Sequence, residues 1–119
     1  MEVLKMKAIN NIEKFNYEYG IPFFEAVEQI ESYLKELYLQ AEQLPTLENI
    51  IKYHDMIDNY RHDENYQSLK WNLLNAKTSY YEHNKAIYKE LDSLYRELNS
   101  MINDYLARLV NLAESLNLI

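Results

Sequence analysis

The chain has 119 residues, of which 48% are hydrophobic and 26% are charged, a balance typical of a single globular domain (residues 1–119) rather than of a disordered chain. Its formal net charge of −7 opposes direct binding to nucleic acid and adsorption to anionic membranes, because both attract Lys and Arg side chains. The chain has no cysteine, so disulfides and thiolate chemistry are excluded. The first residues lack the continuous apolar core of a signal peptide, and the apolar runs are too short to span a membrane, so a cytoplasmic location is expected.

Residues that form tight turns are scarce: the chain contains one glycine and two prolines. Sheets of short strands need such residues at every turn, whereas long helices need few of them. The sequence therefore predicts an all-α fold, a helical bundle or long antiparallel helical hairpins, with three to five helices and no sheet.

The first half of the chain predicts two helices, over residues 2–19 and 22–44. Gly20 suits the end of the first helix, and Pro22 suits the first turn of the second. In the second helix, apolar residues recur at alternating four- and three-residue steps, which is the spacing of a buried seam. The members of this seam are Phe23, Val27, Ile30, Leu34, Leu37, Ala41 and Leu44.

The second half predicts helices over residues 46–82 and 84–118, with Thr46 as an N-cap after Pro45. A polar stretch indicates an interruption near residues 62–65. Ser79 and Glu82 match a capping box, which favours a break near residues 79–85. The alternative is one continuous helix from about residue 46 or 66 to the C-terminus, because this part of the chain has neither Gly nor Pro.

No catalytic or cofactor-binding residue is predicted, so the chain is expected to be neither an enzyme nor a cofactor carrier. Gly20 is the only glycine, which excludes the common phosphate-binding loops. His54, Asp58 and His62 follow one another at four-residue steps and are the candidates for a metal site. The alternative interpretation places His54 at the edge of the core and makes Asp58 a surface partner of His62.

The last fifteen residues are apolar around nearly the whole helix, so burial against a second chain is expected. A second candidate surface is the tyrosine repeat formed by Tyr81, Tyr88 and Tyr95, which recur at seven-residue steps. Such a repeat is also typical of the edge of a core. The predicted partner interface comprises Tyr105, Leu109, Leu112, Leu116, Ile119, Tyr81, Tyr88 and Tyr95.

These features predict a non-enzymatic protein–protein interaction module, a small acidic regulator or subunit that forms a homodimer or docks on a larger protein. One alternative is an acidic, phage-type inhibitor of a nucleic-acid-binding host protein. The other is a metal-binding bundle that uses the histidines and Asp58. The acids that would serve the inhibitor are Glu25, Glu28, Glu31, Glu36 and Glu42.

Overall fold

The computed structural model describes residues 21–119 and contains four α-helices and one short 3-10 helix there. The prediction of an all-α fold is confirmed, and no strand occurs among the described residues. The helix predicted over residues 2–19 lies outside this range. The helices are α1 (Ile21–Gln43), α2 (Leu47–Asn59), the 3-10 helix (Tyr60–His62), α3 (Glu64–Tyr80) and α4 (Lys85–Ser115).

Helix α1 buries the predicted seam from Phe23 to Ala41, and each of these six side chains is at most 7% exposed. Leu44, the last predicted member, is 61% exposed. The helix ends at Gln43, so Leu44 lies in the connection to α2 and no longer follows the helical face. The seam prediction is therefore correct for α1 and wrong for Leu44.

Helix α2 begins at the predicted cap. The Thr46 side chain accepts a hydrogen bond from the Asn49 backbone N–H at 3.1 Å, and Glu48 lies in the first turn, where a negative charge favours the helix dipole. The Asn49 side chain also donates to the Leu44 carbonyl at 3.0 Å. These bonds hold the three-residue connection through which α2 turns back along α1.

The predicted interruption near residues 62–65 is present. Asp63 has an extended conformation, and its side chain accepts hydrogen bonds from the backbone N–H groups of Asn65 at 2.8 Å and Tyr66 at 3.2 Å. Asp63 therefore ends the 3-10 helix and caps α3, because its carboxylate satisfies amides that a helix start leaves unpaired.

A turn of residues 81–84 separates α3 from α4, so the continuous-helix alternative is wrong. The predicted capping box is also wrong: the Ser79 hydroxyl donates to the Ala76 carbonyl at 2.8 Å, within α3. The cap of α4 is Asn84, whose side chain accepts from the Ile87 backbone N–H at 3.2 Å. The break falls in the predicted region, but a different residue makes it.

Helix α4 packs against α1, α2 and α3. Tyr66, early in α3, donates a hydrogen bond to the Leu98 carbonyl of α4 at 3.2 Å. Lys77, later in α3, contacts Asp92, which comes earlier in α4, at 2.7 Å. The two helices are therefore antiparallel. Nine residues of α4 are buried, and they form one core with the apolar faces of the other helices. None of the described helices has an apolar stretch long enough to cross a bilayer.

Candidate protein-contact surface

An apolar groove lies between the first turns of α2 and the last turns of α4. It has a volume of about 200 Å³. Aliphatic side chains make up its walls and floor, and His54 is its one titratable side chain. The lining residues are Leu47, Ile50, Ile51, His54, Val110, Ala113 and Ile119.

After α4 ends, residues 116–119 turn back so that Ile119 borders the groove. Asn117 has a φ of 58°, a left-handed conformation that Asn tolerates better than most residues. Its N–H bonds to the Glu114 carbonyl at 3.0 Å, and the Leu118 N–H bonds to the Ala113 carbonyl at 2.9 Å. This pattern is a Schellman motif. It returns Leu118 to the core and brings Ile119 to the groove.

Large aliphatic side chains remain exposed around this groove. Ile119 is 67% exposed and Ile51 is 51% exposed, although both line it. We call the exposed set the apolar end. It consists of four residues that line the groove, Leu47, Ile51, Val110 and Ile119, and of Leu44 and Leu116, each of which lies three residues before a lining residue. Aliphatic side chains form no hydrogen bonds with water, so their exposure to water is unfavourable. A second apolar surface that covers them would remove this cost.

The predicted partner interface is only partly available at the surface. The prediction was wrong for Tyr105 and Leu109, which are 3% and 0% exposed and belong to the core. Leu112 is half-buried and packs against that core, whereas Leu116 and Ile119 are exposed. The reason is that α1 and α2 both pack on α4 and cover the side of the terminal helix that carries Tyr105 and Leu109.

The tyrosine repeat lies where α3 and α4 meet. The rings of Tyr81 and Tyr88 are 5.1 Å apart in an edge-to-face arrangement, and Lys85 Nζ lies 3.7 Å from the Tyr81 ring centroid. Lys77 Nζ lies 4.7 Å from the ring centroid of Tyr95, which packs against the core. The three predicted interface tyrosines therefore make contacts within the chain that hold the hairpin together.

The same hairpin contains a half-buried ion pair. Lys77 Nζ lies 2.7 Å from Asp92, and their side chains are 16% and 17% exposed. The hydrogen bond from Lys77 holds the pKa of Asp92 below its usual value, and a second bond from Arg96 acts in the same direction. A cavity of about 500 Å³ opens beside this pair, but Lys77 and the Thr78 hydroxyl, which line it, already have partners in the chain.

The candidate metal residues do not converge. The Asp58 carboxylate accepts a hydrogen bond from Arg61 at 2.8 Å, and this bond lowers the pKa of Asp58. The charges of His54 and His62 lower the pKa of Asp58 as well, so His62 is a surface neighbour of Asp58 as predicted, although the hydrogen bond comes from Arg61. His54 is half-buried in the apolar groove, as predicted for the core edge, and His62 is exposed. Within residues 21–119, no group of three or more His, Asp or Glu side chains could hold a metal ion.

The acidic side chains that would serve the inhibitor, all on α1, are exposed. Glu28 and Glu31 of α1 lie close enough to Glu97 of α4 for their negative charges to act on it. Burial raises the pKa of Glu97, and the neighbouring carboxylates of Glu31 and Glu28 raise it further. Elsewhere on α1, the acids bond locally, as in the hydrogen bond from Gln40 to Glu36 at 3.0 Å.

Comparisons with known proteins add no family or neighbour to this description. No protein-family model, no curated protein and no solved structure matches the chain. What the chain binds must therefore be inferred from its own surface chemistry.

Proposed function

We propose that this chain is a non-enzymatic protein–protein interaction module that acts through the apolar end. The observation that carries the proposal is the groove of about 200 Å³ with exposed aliphatic side chains around it. Large contiguous apolar patches are rare on soluble monomers and commonly mark a contact with another macromolecule.

The backbone around the groove supports this proposal because it is held in place before any partner binds. Thr46 caps one wall, and the Schellman turn at Asn117 fixes the other. A surface that is already ordered loses little conformational entropy on binding, so more of the contact energy appears as affinity. A second copy of the chain and a different protein would both satisfy the proposal.

The two alternatives have less support. For the acidic inhibitor, the exposed carboxylates of α1 also fit the ordinary solvated face of a helix, and Glu36 and Glu42 have partners on the same helix. For the metal-binding bundle, the bond between Asp58 and Arg61 occupies the carboxylate that a metal would need. Neither alternative accounts for the aliphatic side chains at the apolar end.

Photo-crosslinking tests the proposal. A benzophenone amino acid is placed at Ile51 in the groove wall, and at Asn75 on the exposed side of α3 as the control. The variants are expressed in cells that normally make the chain and are then irradiated. We expect a protein adduct from position 51, either with the chain itself or with another protein, and none from position 75. Equal adduct formation at the two positions, or none at position 51, would contradict the proposal.

A further inference from the structure

Three carboxylates flank the apolar end. Glu48 and Asp55 lie three residues before and four residues after Ile51 on α2, and Glu114 lies four residues after Val110 on α4. Residues at these separations are neighbours on a helix surface. All three acids are exposed, and among the described residues none of them takes part in an ion pair.

Two cations of these helices, Lys52 and Arg108, lie over aromatic rings. Lys52 Nζ lies 5.1 Å from the ring centroid of Tyr53, and the Arg108 guanidinium carbon lies 4.7 Å from that of Tyr105. A cation over a ring is attracted to it, and this attraction disfavours its extension toward the rim. The border of the apolar end is therefore acidic, in keeping with the net charge of −7.

We propose that the apolar end binds an amphipathic helix of a different protein, with apolar residues in the groove and Lys or Arg residues at its flanks. The inference rests on the proposed function and names the chemistry of its partner. Apolar anchors at i, i+3, i+4 and i+7 are the usual way in which a helix fills such a groove. Basic flanks would face Glu48, Asp55 and Glu114, and the acidic chain would attract them over a longer range.

A second copy of the chain fits this surface less well. A two-fold contact brings the acidic rims of both copies to the same interface, where their charges repel. The area of the patch does not separate the two occupants. Because Tyr105 and Leu109 are buried within the chain, only the exposed aliphatic side chains of the apolar end are available to either partner. A patch of this kind fits a weak contact in both cases, so the charges of the rim are what favour a different protein.

Fluorescence anisotropy with synthetic peptides tests this inference. The probe is a labelled amphipathic peptide of about five helical turns, with Leu at the anchor positions and Lys at the flanks. One control peptide has Glu in place of Lys, and another has the composition of the probe in a scrambled order. We expect the probe to bind the full chain with a Kd in the micromolar range, at least about tenfold more tightly than either control peptide.

Two variants of the chain locate the binding. Replacing Ile51 by Asn should weaken probe binding at least about tenfold, because it puts a polar amide in the apolar wall of the groove, whereas Asn75→Ser should leave binding unchanged. The double variant Glu48→Lys, Glu114→Lys should reverse the preference toward the peptide with Glu flanks. Equal binding of the probe and its scrambled control, or no effect of Ile51→Asn, would overturn the inference.

Sedimentation equilibrium of the chain without peptide separates this inference from the proposed function. We expect a monomer of 14.4 kDa at micromolar concentrations. A dimer that Ile51→Asn dissociates would overturn the inference, because the occupant would then be a second copy, but it would support the proposed interaction module. A monomer that binds none of the peptides and gives no crosslink at position 51 would contradict both proposals.

Discussion

Both ends of the molecule expose a large apolar or aromatic side chain to the same extent, but these side chains differ in the contacts they make within the chain. At the hairpin end, formed by the last turns of α3, the 81–84 turn and the first turns of α4, Tyr81 is 51% exposed. At the apolar end, Ile51 is also 51% exposed. The Tyr81 ring contacts Lys85 and Tyr88, whereas Ile51 forms part of an open aliphatic groove.

The comparison shows that exposed area alone does not identify a contact surface. An aromatic ring can pair its face with a cation and its edge with another ring, so an exposed Tyr is stabilised within its own chain. An aliphatic side chain gains favourable free energy only from dispersion contacts and from the release of water, and both require an apolar neighbour. The aliphatic side chains of the apolar end would therefore gain more from a partner than the Tyr81 ring at the hairpin end.

The largest expected effect on stability separates a buried residue near the apolar end from the exposed residue beside it. Leu109 is 0% exposed and the adjacent Val110 is 40% exposed. Leu109→Glu should unfold the chain, because an unpaired buried carboxylate costs several kcal/mol against a total stability of roughly 5–15 kcal/mol. Val110→Glu should keep the helical circular dichroism spectrum and a melting temperature close to that of the original chain. A folded Leu109→Glu variant with unchanged stability would show that this residue is not core.

A second pair of variants separates stability from binding. Asn84→Ala removes the cap of α4 at the hairpin end and should cost about 1 kcal/mol of stability while leaving binding of the Lys-flanked peptide unchanged. Ile51→Asn at the apolar end should do the reverse. Thermal melts and anisotropy titrations of both variants measure the two quantities. If Asn84→Ala weakened peptide binding as much as Ile51→Asn, the two ends would not be independent.

The ion pair at the hairpin end predicts a pH-dependent loss of stability. Because the folded-state pKa of Asp92 is lowered, chiefly by the hydrogen bond from Lys77, its contribution is present above the unfolded pKa of about 3.9 and is lost as the pH falls through the folded value. Asp92→Asn should therefore lower the melting temperature at pH 7, and this difference should shrink as the pH falls below about 4. Asp104→Asn, at an exposed position of the same helix, is the control. A difference that is constant with pH would contradict this role.

Glu97 predicts a smaller effect of the opposite sign. Burial and the carboxylates of Glu31 and Glu28 raise its pKa, so the folded state disfavours the charged form, and stability decreases as the pH rises from the unfolded pKa of about 4.3 through the folded value. Glu97→Gln should raise the melting temperature at pH 7 and have no such effect below about pH 4. Glu90→Gln, exposed on the same helix, should change little. A lower melting temperature for Glu97→Gln at pH 7 would contradict the assignment.

Local signals predicted the fold well where one side chain or one helical face determines the structure. The cap at Thr46 and the seam of α1 are of this kind, because both depend on residues within a few positions of one another. The cap of α4 was not predicted, because Ser79 and Asn84 are both residues that commonly cap a helix, and the sequence does not show which of them does so. Packing of Leu73 and Ala76 in the core extends α3 past Ser79 and leaves Asn84 at the start of α4.

The candidate site was less predictable because its parts are distant in the sequence. The periodicity of residues 105–119 indicates an apolar surface, but it does not tell how many helices pack on it, so Tyr105 and Leu109 were wrongly predicted to face a partner. The groove requires Leu47 and Ile51 of α2 beside Val110 of α4. Only the packing of α2 on α4 brings these residues together.

The most direct test of the apolar end as the contact surface is a methyl NMR titration of the chain with the Lys-flanked peptide. We expect the methyl resonances of Ile51, Val110 and Ile119, which line the groove, to shift in proportion to the bound fraction. The resonances of Ile87 and Leu91, buried at and near the hairpin end, should stay in place. Shifts confined to the hairpin end, or spread evenly over both ends, would contradict this account.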